Sequence, residues 1–202
     1  SVIITRFKNQ NYEIYEPIEN VHKDQILKFS EIPAKISSNI LNLSTEWAKK
    51  ISELCIEYKA VSIINDRVDI ACVSGADGVH LGQNDISPND VEKITENQLL
   101  IGTSNALKEE IEISAKNKST YIAIGSIFPT TTKTNTRPAS LQLLRDAKMI
   151  SSKPIVAIGG INQQNIESVI ETGVDSVCIA TAITLAKDPE KTTKSLSNYF
   201  NI

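Results

Sequence analysis

Short apolar runs rich in β-branched residues recur along the chain and alternate with stretches whose apolar residues return every third or fourth position. The runs predict strands over 2–5, 34–37, 61–64, 78–81, 99–102, 121–124, 155–158 and 176–179. They are continuously apolar rather than alternating, as parallel strands covered on both faces are. Between them, 44–58 carries Trp47, Ile51, Leu54 and Tyr58 on one helical stripe, with Ser44 as N-cap. The stretch 106–117 carries Ile111 and Ala115 on a similar stripe, and 165–172 follows the same rule with Gly173 as its stop. Eight strands alternating with helices in 202 residues predict one α/β domain over 1–202, a compact single (β/α)8 TIM barrel with a shortened first βα unit. An open doubly wound sheet shares this alternation and is the alternative.

Composition narrows the partners. Lys and Arg number 21 against 24 Asp and Glu, so no basic face points to nucleic acid. No apolar run approaches the ~18 residues of a membrane span, and no signal-peptide pattern opens the sequence. Cys55, Cys72 and Cys178 are an odd, widely spaced set, which argues against a disulfide framework and for a reducing cytoplasm. All eight glycines fall between Gly75 and Gly173, so chemistry that needs close backbone approach is expected in the later two thirds.

In such barrels the active site lies at the C-terminal ends of the strands. The third predicted strand ends Ile63-Ile64-Asn65-Asp66-Arg67, and the fourth ends Val79-His80-Leu81-Gly82-Gln83-Asn84-Asp85. Asp66 and Asp85 on neighbouring strand ends, with amides beside them, have the donor chemistry of a Mg2+ site, since magnesium takes one or two carboxylates plus substrate phosphate oxygens. An ordinary Asn-Asp turn, and a helix N-cap role for Asp85 ahead of Pro88, account for the same residues without metal. The fifth strand end adds Ser104 and Asn105. After the sixth, Thr130-Thr131-Thr132-Lys133 puts three hydroxyls and an ammonium on a long loop that could wrap phosphate oxygens; a solvated polar loop is the plainer reading. Gly159-Gly160 after the seventh strand and Thr181 after the eighth suit the recurrent phosphate site of these barrels. There is no Ser-His-Asp set and no zinc spacing. Of the two histidines, His22 lies outside the pattern and His80 reads as a packed or hydrogen-bonded core residue. Transfer of a group away from a pyrophosphate, with electrostatic stabilisation of the leaving group, suits this inventory.

The segments Ile63-Ile64-Asn65-Asp66-Arg67, Gly75-Ala76-Asp77-Gly78-Val79-His80-Leu81-Gly82-Gln83, Ile127-Phe128-Pro129-Thr130-Thr131-Thr132-Lys133 and Ala157-Ile158-Gly159-Gly160-Ile161 together resemble thiamine-phosphate synthase and its thiazole tautomerase paralogues. The resemblance runs over roughly 44–184. It implies a cytoplasmic, Mg2+-dependent transferase that joins 4-amino-5-hydroxymethyl-2-methylpyrimidine diphosphate to 4-methyl-5-(2-phosphoethyl)thiazole and releases pyrophosphate. By the same resemblance, Asp66 and Asp85 would ligate Mg2+ and Asn65 would contact the pyrimidine diphosphate. Ser104 and Lys133, as catalytic contacts, would hold the diphosphate and thiazole phosphate region together with Thr130 and Thr132. Gly160, Ile179 and Thr181 would form the thiazole phosphate pocket. The partners are then small phosphorylated pyrimidine and thiazole substrates, with a homodimer as an open expectation.

The second strand departs from the family pattern. A Gln-x-Arg-x-Lys grip on the diphosphate is expected there, and 30–37 offers only Lys35 near the arginine position. Two missing charged hydrogen bonds are worth about 1.5–3 kcal/mol each. The alternatives are therefore a divergent paralogue acting as thiazole tautomerase, or a non-catalytic binder of thiazole or thiamine phosphate. The tautomerase paralogues are expected to carry a histidine just after the fifth-strand serine, where this chain has Asn105.

Overall fold

The computed structural model describes residues 40–96, 98–130 and 137–200. Helix α1 (Ile40–Glu57) precedes six parallel strands: β1 (Ile63–Asn65), β2 (Gly78–Leu81), β3 (Leu100–Asn105), β4 (Tyr121–Ile124), β5 (Ile155–Ile158) and β6 (Ser176–Cys178). Between them lie α2 (Val68–Ser74), α3 (Pro88–Thr95), α4 (Lys108–Lys116), α5 (Leu141–Ile150) and α6 (Ile166–Ile170). After β6 come α7 (Thr181–Thr184), α8 (Pro189–Ser197) and a 3-10 turn over Asn198–Phe200. The described strands pair in the order β1-β2-β3-β4-β5-β6, each parallel to the next. A doubly wound sheet reverses its order at a switch point. No reversal occurs among the described strands, so that alternative is set aside. What is seen is a sequential parallel sheet curled as a partial barrel; the strands predicted over 2–5 and 34–37 lie outside the described residues.

Local sequence explains the helix ends. Ser87 caps α3, accepting from the Asp90 N–H, with Pro88 in the first turn where no donor is needed. Ser140 caps α5 and Asp188 caps α8 in the same manner. The expected Ser44 cap is corrected, because α1 begins a full turn earlier at Ile40. Its best-buried described positions are Ala48 and Ser52, and Trp47, Ile51, Leu54 and Tyr58 of the predicted stripe are half-buried.

The two faces of the sheet are both covered, as the continuous apolar runs predicted. Outward, Val79, Leu81 and Ile101 pack with Val68, Ala71 and Val91 of α2 and α3. Further along, Ile122, Ile124, Ile155 and Ala157 pack with Ile111, Leu144, Ala147, Ile166 and Val169. Inward, Tyr121, Ala123, Val156 and Cys178 form a cluster that contains no helical residue, so it fills the concave side. Burying each of these aliphatic side chains contributes about 1.5–3 kcal/mol, which makes the outer layer the main source of stability.

A paired device closes the N-terminal ends of the strands. Asp77, just before β2, accepts from the Ser62 N–H at 2.7 Å and its hydroxyl at 2.8 Å. Asp175, just before β6, accepts from the Ile155 N–H at 2.7 Å and pairs with Lys148. These carboxylates tie neighbouring strands at the end opposite the site, where such barrels keep stabilising contacts.

Candidate active site

The C-terminal edge of the sheet gathers the ends of all six strands. Asn65 ends β1, half-buried, opposite His80 of β2. Asp66 follows with φ 63°, a left-handed conformation that Asp tolerates better than most side chains, and its N–H donates to the His80 carbonyl at 2.8 Å. The backbone is thus fixed while the carboxylate stays exposed at the rim. Arg67 is turned away to pair with Asp69 in the first turn of α2, and its guanidinium holds the Asp69 carboxyl down at about 2.

Asp85 is exposed on the next loop, and its Oδ2 accepts the Gly82 N–H at 2.7 Å. The helix-cap reading of Asp85 is corrected: Ser87 holds that position, and Asp85 closes the turn at the end of β2 instead. Its carboxylate keeps Oδ1 for another partner. Asp66 and Asp85 follow paired strands β1 and β2 and are hard oxygen donors, the donor chemistry that magnesium takes together with water and substrate phosphate. No group of three or more His, Cys, Asp or Glu gathers among the described residues.

Ser104 lies near the end of β3, half-buried. Its hydroxyl meets His80 Nε2 at 2.7 Å, and its carbonyl accepts from Gln83 Nε2 at 2.6 Å. His80 is 3% exposed and its Nδ1 meets the Tyr121 hydroxyl at 3.0 Å. The buried, hydrogen-bonded histidine is therefore as expected, and it is also joined to the rim. Burial, then the nearby Cys178, pushes the Tyr121 hydroxyl well above its ordinary pKa; burial alone pushes Cys178 up to about 11. Both remain protonated at neutral pH. Asn105 is 1% exposed and points outward, accepting from Ser114 Oγ at 2.9 Å and donating to the Thr103 carbonyl at 3.0 Å. Its Oδ1 also lies 3.5 Å from Gln83 Nε2, and an amide is no base.

Strand β4 continues into the loop that carries Thr130, which is half-buried; Thr132 and Lys133 lie outside the described residues. Both ends of that loop are anchored. The Ile127 and Phe128 N–H groups donate to the carbonyls of Ile158 and Gly159, and Ser126 exchanges backbone bonds with Arg137 and Ala139 at 2.9 Å. Arg137 also pairs with Glu110, whose carboxylate caps the Ala106 and Leu107 N–H groups at the start of α4. Gly160 has φ 66° and lies against the Phe128–Pro129 backbone. Ile179 and Thr181, both half-buried, follow β6, and Thr181 opens α7.

The structure thus brings Asn65, Asp66, Asp85, Ser104, Thr130, Gly160, Ile179 and Thr181 to one edge. Sequence reading missed Gln83, Tyr121 and Arg137 as supports. Gln83 stood inside a recognised segment, but its target is a backbone carbonyl on the neighbouring strand β3, and no spacing signals that.

The thiamine monophosphate synthase family model matches residues 27–183. The chain belongs to this family. A thiamine-phosphate synthase of Alkaliphilus oremlandii is 40% identical over 151 residues, covering 75% of this chain and 72% of that one. One of Methanococcus maripaludis is 32% identical over 200 residues, covering 95% and 96%. Among solved structures, thiamine phosphate pyrophosphorylase from Pyrococcus furiosus superposes with a TM-score of 0.75 at 33% identity, covering 84% of this chain and 80% of that one. The family match begins at residue 27 and so takes in 30–37, where the expected Gln-x-Arg-x-Lys grip is missing.

Proposed function

We infer that this chain acts in thiamine biosynthesis as a transferase, moving the hydroxymethylpyrimidine group from its diphosphate to the thiazole phosphate and releasing pyrophosphate. The observation that carries this reading is the convergence of carboxylates, hydroxyls and close-packed glycine on one sheet edge, in the order in which a family member would present them.

In this reading Asn65 orients the pyrimidine diphosphate over the β1 end. Asp66 and Asp85 would hold Mg2+, which when bound supplies positive charge to the departing diphosphate. Ser104 and Thr130 would donate hydrogen bonds to phosphate oxygens, and Thr132 and Lys133, next in sequence, would supply a hydroxyl and an ammonium to the same group. Gly160, Ile179 and Thr181 receive the thiazole phosphate. The diphosphate leaves first and the thiazole ring nitrogen captures the resulting pyrimidinyl-methyl cation, a sequence that asks for charge stabilisation and no strong base. The buried, outward Asn105 fits a site without a proton-shuttling base at that position, so the tautomerase alternative is not favoured.

The eight-stranded closure, a homodimer and a cytoplasmic location belong with this reading. All three cysteines are free thiols, and no helix among the described residues is long and apolar enough to cross a membrane. The deciding experiment mixes the protein with both substrates, first with magnesium and then with chelator. Thiamine phosphate and pyrophosphate, formed only with magnesium, are expected. Folded protein that yields no product in either condition would overturn the transferase reading.

A further inference from the structure

We propose that Gln83 is a positioning residue: its side-chain amide supplies the next rung of the β2–β3 ladder and so holds the Asp85 turn in a fixed place against the Ser104 end of β3. The inference rests on the reading that Asp85 and Ser104 serve one substrate diphosphate. It names what keeps those two groups in a constant relation.

In a parallel pair, a residue bonds to the neighbours of its partner on either side. Leu100 lies opposite Gly78, and its N–H donates at 2.9 Å to the carbonyl of Asp77, one residue before that partner. Thr103 lies opposite Leu81. The same register carried one residue further sets residue 82 opposite Ser104, and the Ser104 carbonyl is then due the N–H of residue 83. But β2 stops at Leu81 and the chain turns. The Gly82 N–H donates to Asp85 Oδ2 at 2.7 Å, and the Asp85 N–H donates to the Gly82 carbonyl at 3.3 Å. Residue 83 still serves the Ser104 carbonyl, with its side chain in place of its backbone: Gln83 Nε2 donates to it at 2.6 Å.

The partners fix the direction of this bond. A backbone carbonyl only accepts. The other group facing Nε2, at 3.5 Å, is Asn105 Oδ1. Asn105 is buried, and its Nδ2 donates to the carbonyls of Thr103 at 3.0 Å and Ala123 at 3.3 Å, which leaves Oδ1 as the acceptor for Ser114 Oγ and Gln83. Acceptors on both sides therefore call for the amide nitrogen of Gln83, and a carboxylate of the same length has no proton to offer them. The hydrogen bonds of Asp85 stay inside its own turn. Among the described residues, the hydrogen bonds that lead from that turn to β3 are those of Gln83. A reacting group misplaced by about 1 Å can lose ~100-fold in rate, so a turn released from β3 loses turnover although every group that meets the substrate is still present.

The test compares Gln83→Leu, which removes the amide, with Gln83→Glu, which keeps its length and sets acceptors against acceptors. Both should lower kcat by about 10- to 100-fold, while KM for the thiazole phosphate, whose pocket lies beyond β5 and β6, stays within about 2-fold. Gln83→Glu should be at least as damaging as Gln83→Leu, since shape is kept and only the donor is lost. In the Asp85→Asn background the Gln83→Leu loss should shrink to under about 3-fold, because the two changes then act on one group. Amide hydrogen exchange, read without substrate or metal, should quicken by about 10-fold or more at Gly82 and Asp85 in Gln83→Leu and stay unchanged at Leu144 of α5. Full kcat in Gln83→Leu, a Gln83→Glu variant as active as the unaltered protein, or unchanged exchange at Gly82 and Asp85 overturns the proposal. Full turnover in both Asp85→Asn and Ser104→Ala would instead reject the reading that these residues serve the substrate, and the positioning role with it, whatever the exchange rates show of the turn.

Discussion

Gly160 lies so close to the carbonyl oxygen of Pro129 that a Cβ at residue 160 would stand 2.5 Å from it. That contact joins the end of β5 to the start of the Thr130 loop, and the Phe128 N–H bond to the Gly159 carbonyl at 3.1 Å locks it from the other side. Residue 160 also has φ 66°, which disfavours a side chain whatever the space. Gly160→Ala should therefore cost about 2–4 kcal/mol, from strained backbone plus overpacking. For a chain of this size that is a fall in Tm of roughly 5–15 °C, accompanied by a raised KM for the thiazole phosphate. A thermal melt and a substrate titration check this; a variant with unaltered Tm and KM would mean the loop does not rest on Gly160.

Asp66 offers a clean test of the metal reading. Asparagine tolerates its left-handed conformation, so Asp66→Asn removes charge without disturbing the β1 turn. Turnover should fall at least ~100-fold, about 2.7 kcal/mol, and Tm should stay within about 2 °C of the unaltered protein. Asp85→Asn should act in the same direction, and chelator should add no further loss to the double variant. Full activity in Asp66→Asn would remove this residue from the metal site.

The Glu110–Arg137 pair sets a pH dependence of stability. Burial works to raise the Glu110 pKa, but the Arg137 side chain and the Ala106 and Leu107 N–H groups outweigh it, so the carboxyl lies below its ordinary value of 4.5. A depressed folded-state pKa contributes stability that is present above the unfolded value and is lost as pH falls through the folded one. Glu110→Gln should thus lower Tm at pH 7 by a few degrees, about 1 kcal/mol for one charged partner. The gap between variant and unaltered protein should close as pH drops below about 4.5. A gap constant down to acid pH would show that the charge is not what Glu110 contributes.

Thiol labelling checks the layering. Cys72 is exposed, Cys55 is partly buried with its thiol pushed up by burial and then by Asp77, and Cys178 is buried with its thiol up at about 11. An alkylating reagent at pH 8 should modify Cys72 first, Cys55 more slowly and Cys178 only after unfolding. Mass spectrometry after timed quenching reads this order, and early labelling of Cys178 would contradict the packed concave face.

Much of this protein is legible along the chain because its determinants are local. A run such as Ile155–Ile158 is apolar at every position, and only a strand covered on both faces gives that pattern room. Strand ends then follow, and with them Asn65, Asp66, Ser104, Gly160 and Thr181, since a parallel sheet with its strands in sequential order brings all its C-terminal ends to one edge. What tertiary structure decided is which groups pair across that edge. Asp85 closing a turn instead of capping a helix, Gln83 reaching the Ser104 carbonyl, Arg137 bound to Glu110 and His80 meeting Tyr121 across Gly102 all join residues whose sequence separation carries no period. Hydrophobic burial repeats along a chain at the pitch of its element, so sequence alone determines the layers; a hydrogen bond depends on distance and direction between single atoms, and those exist only after the layers have packed.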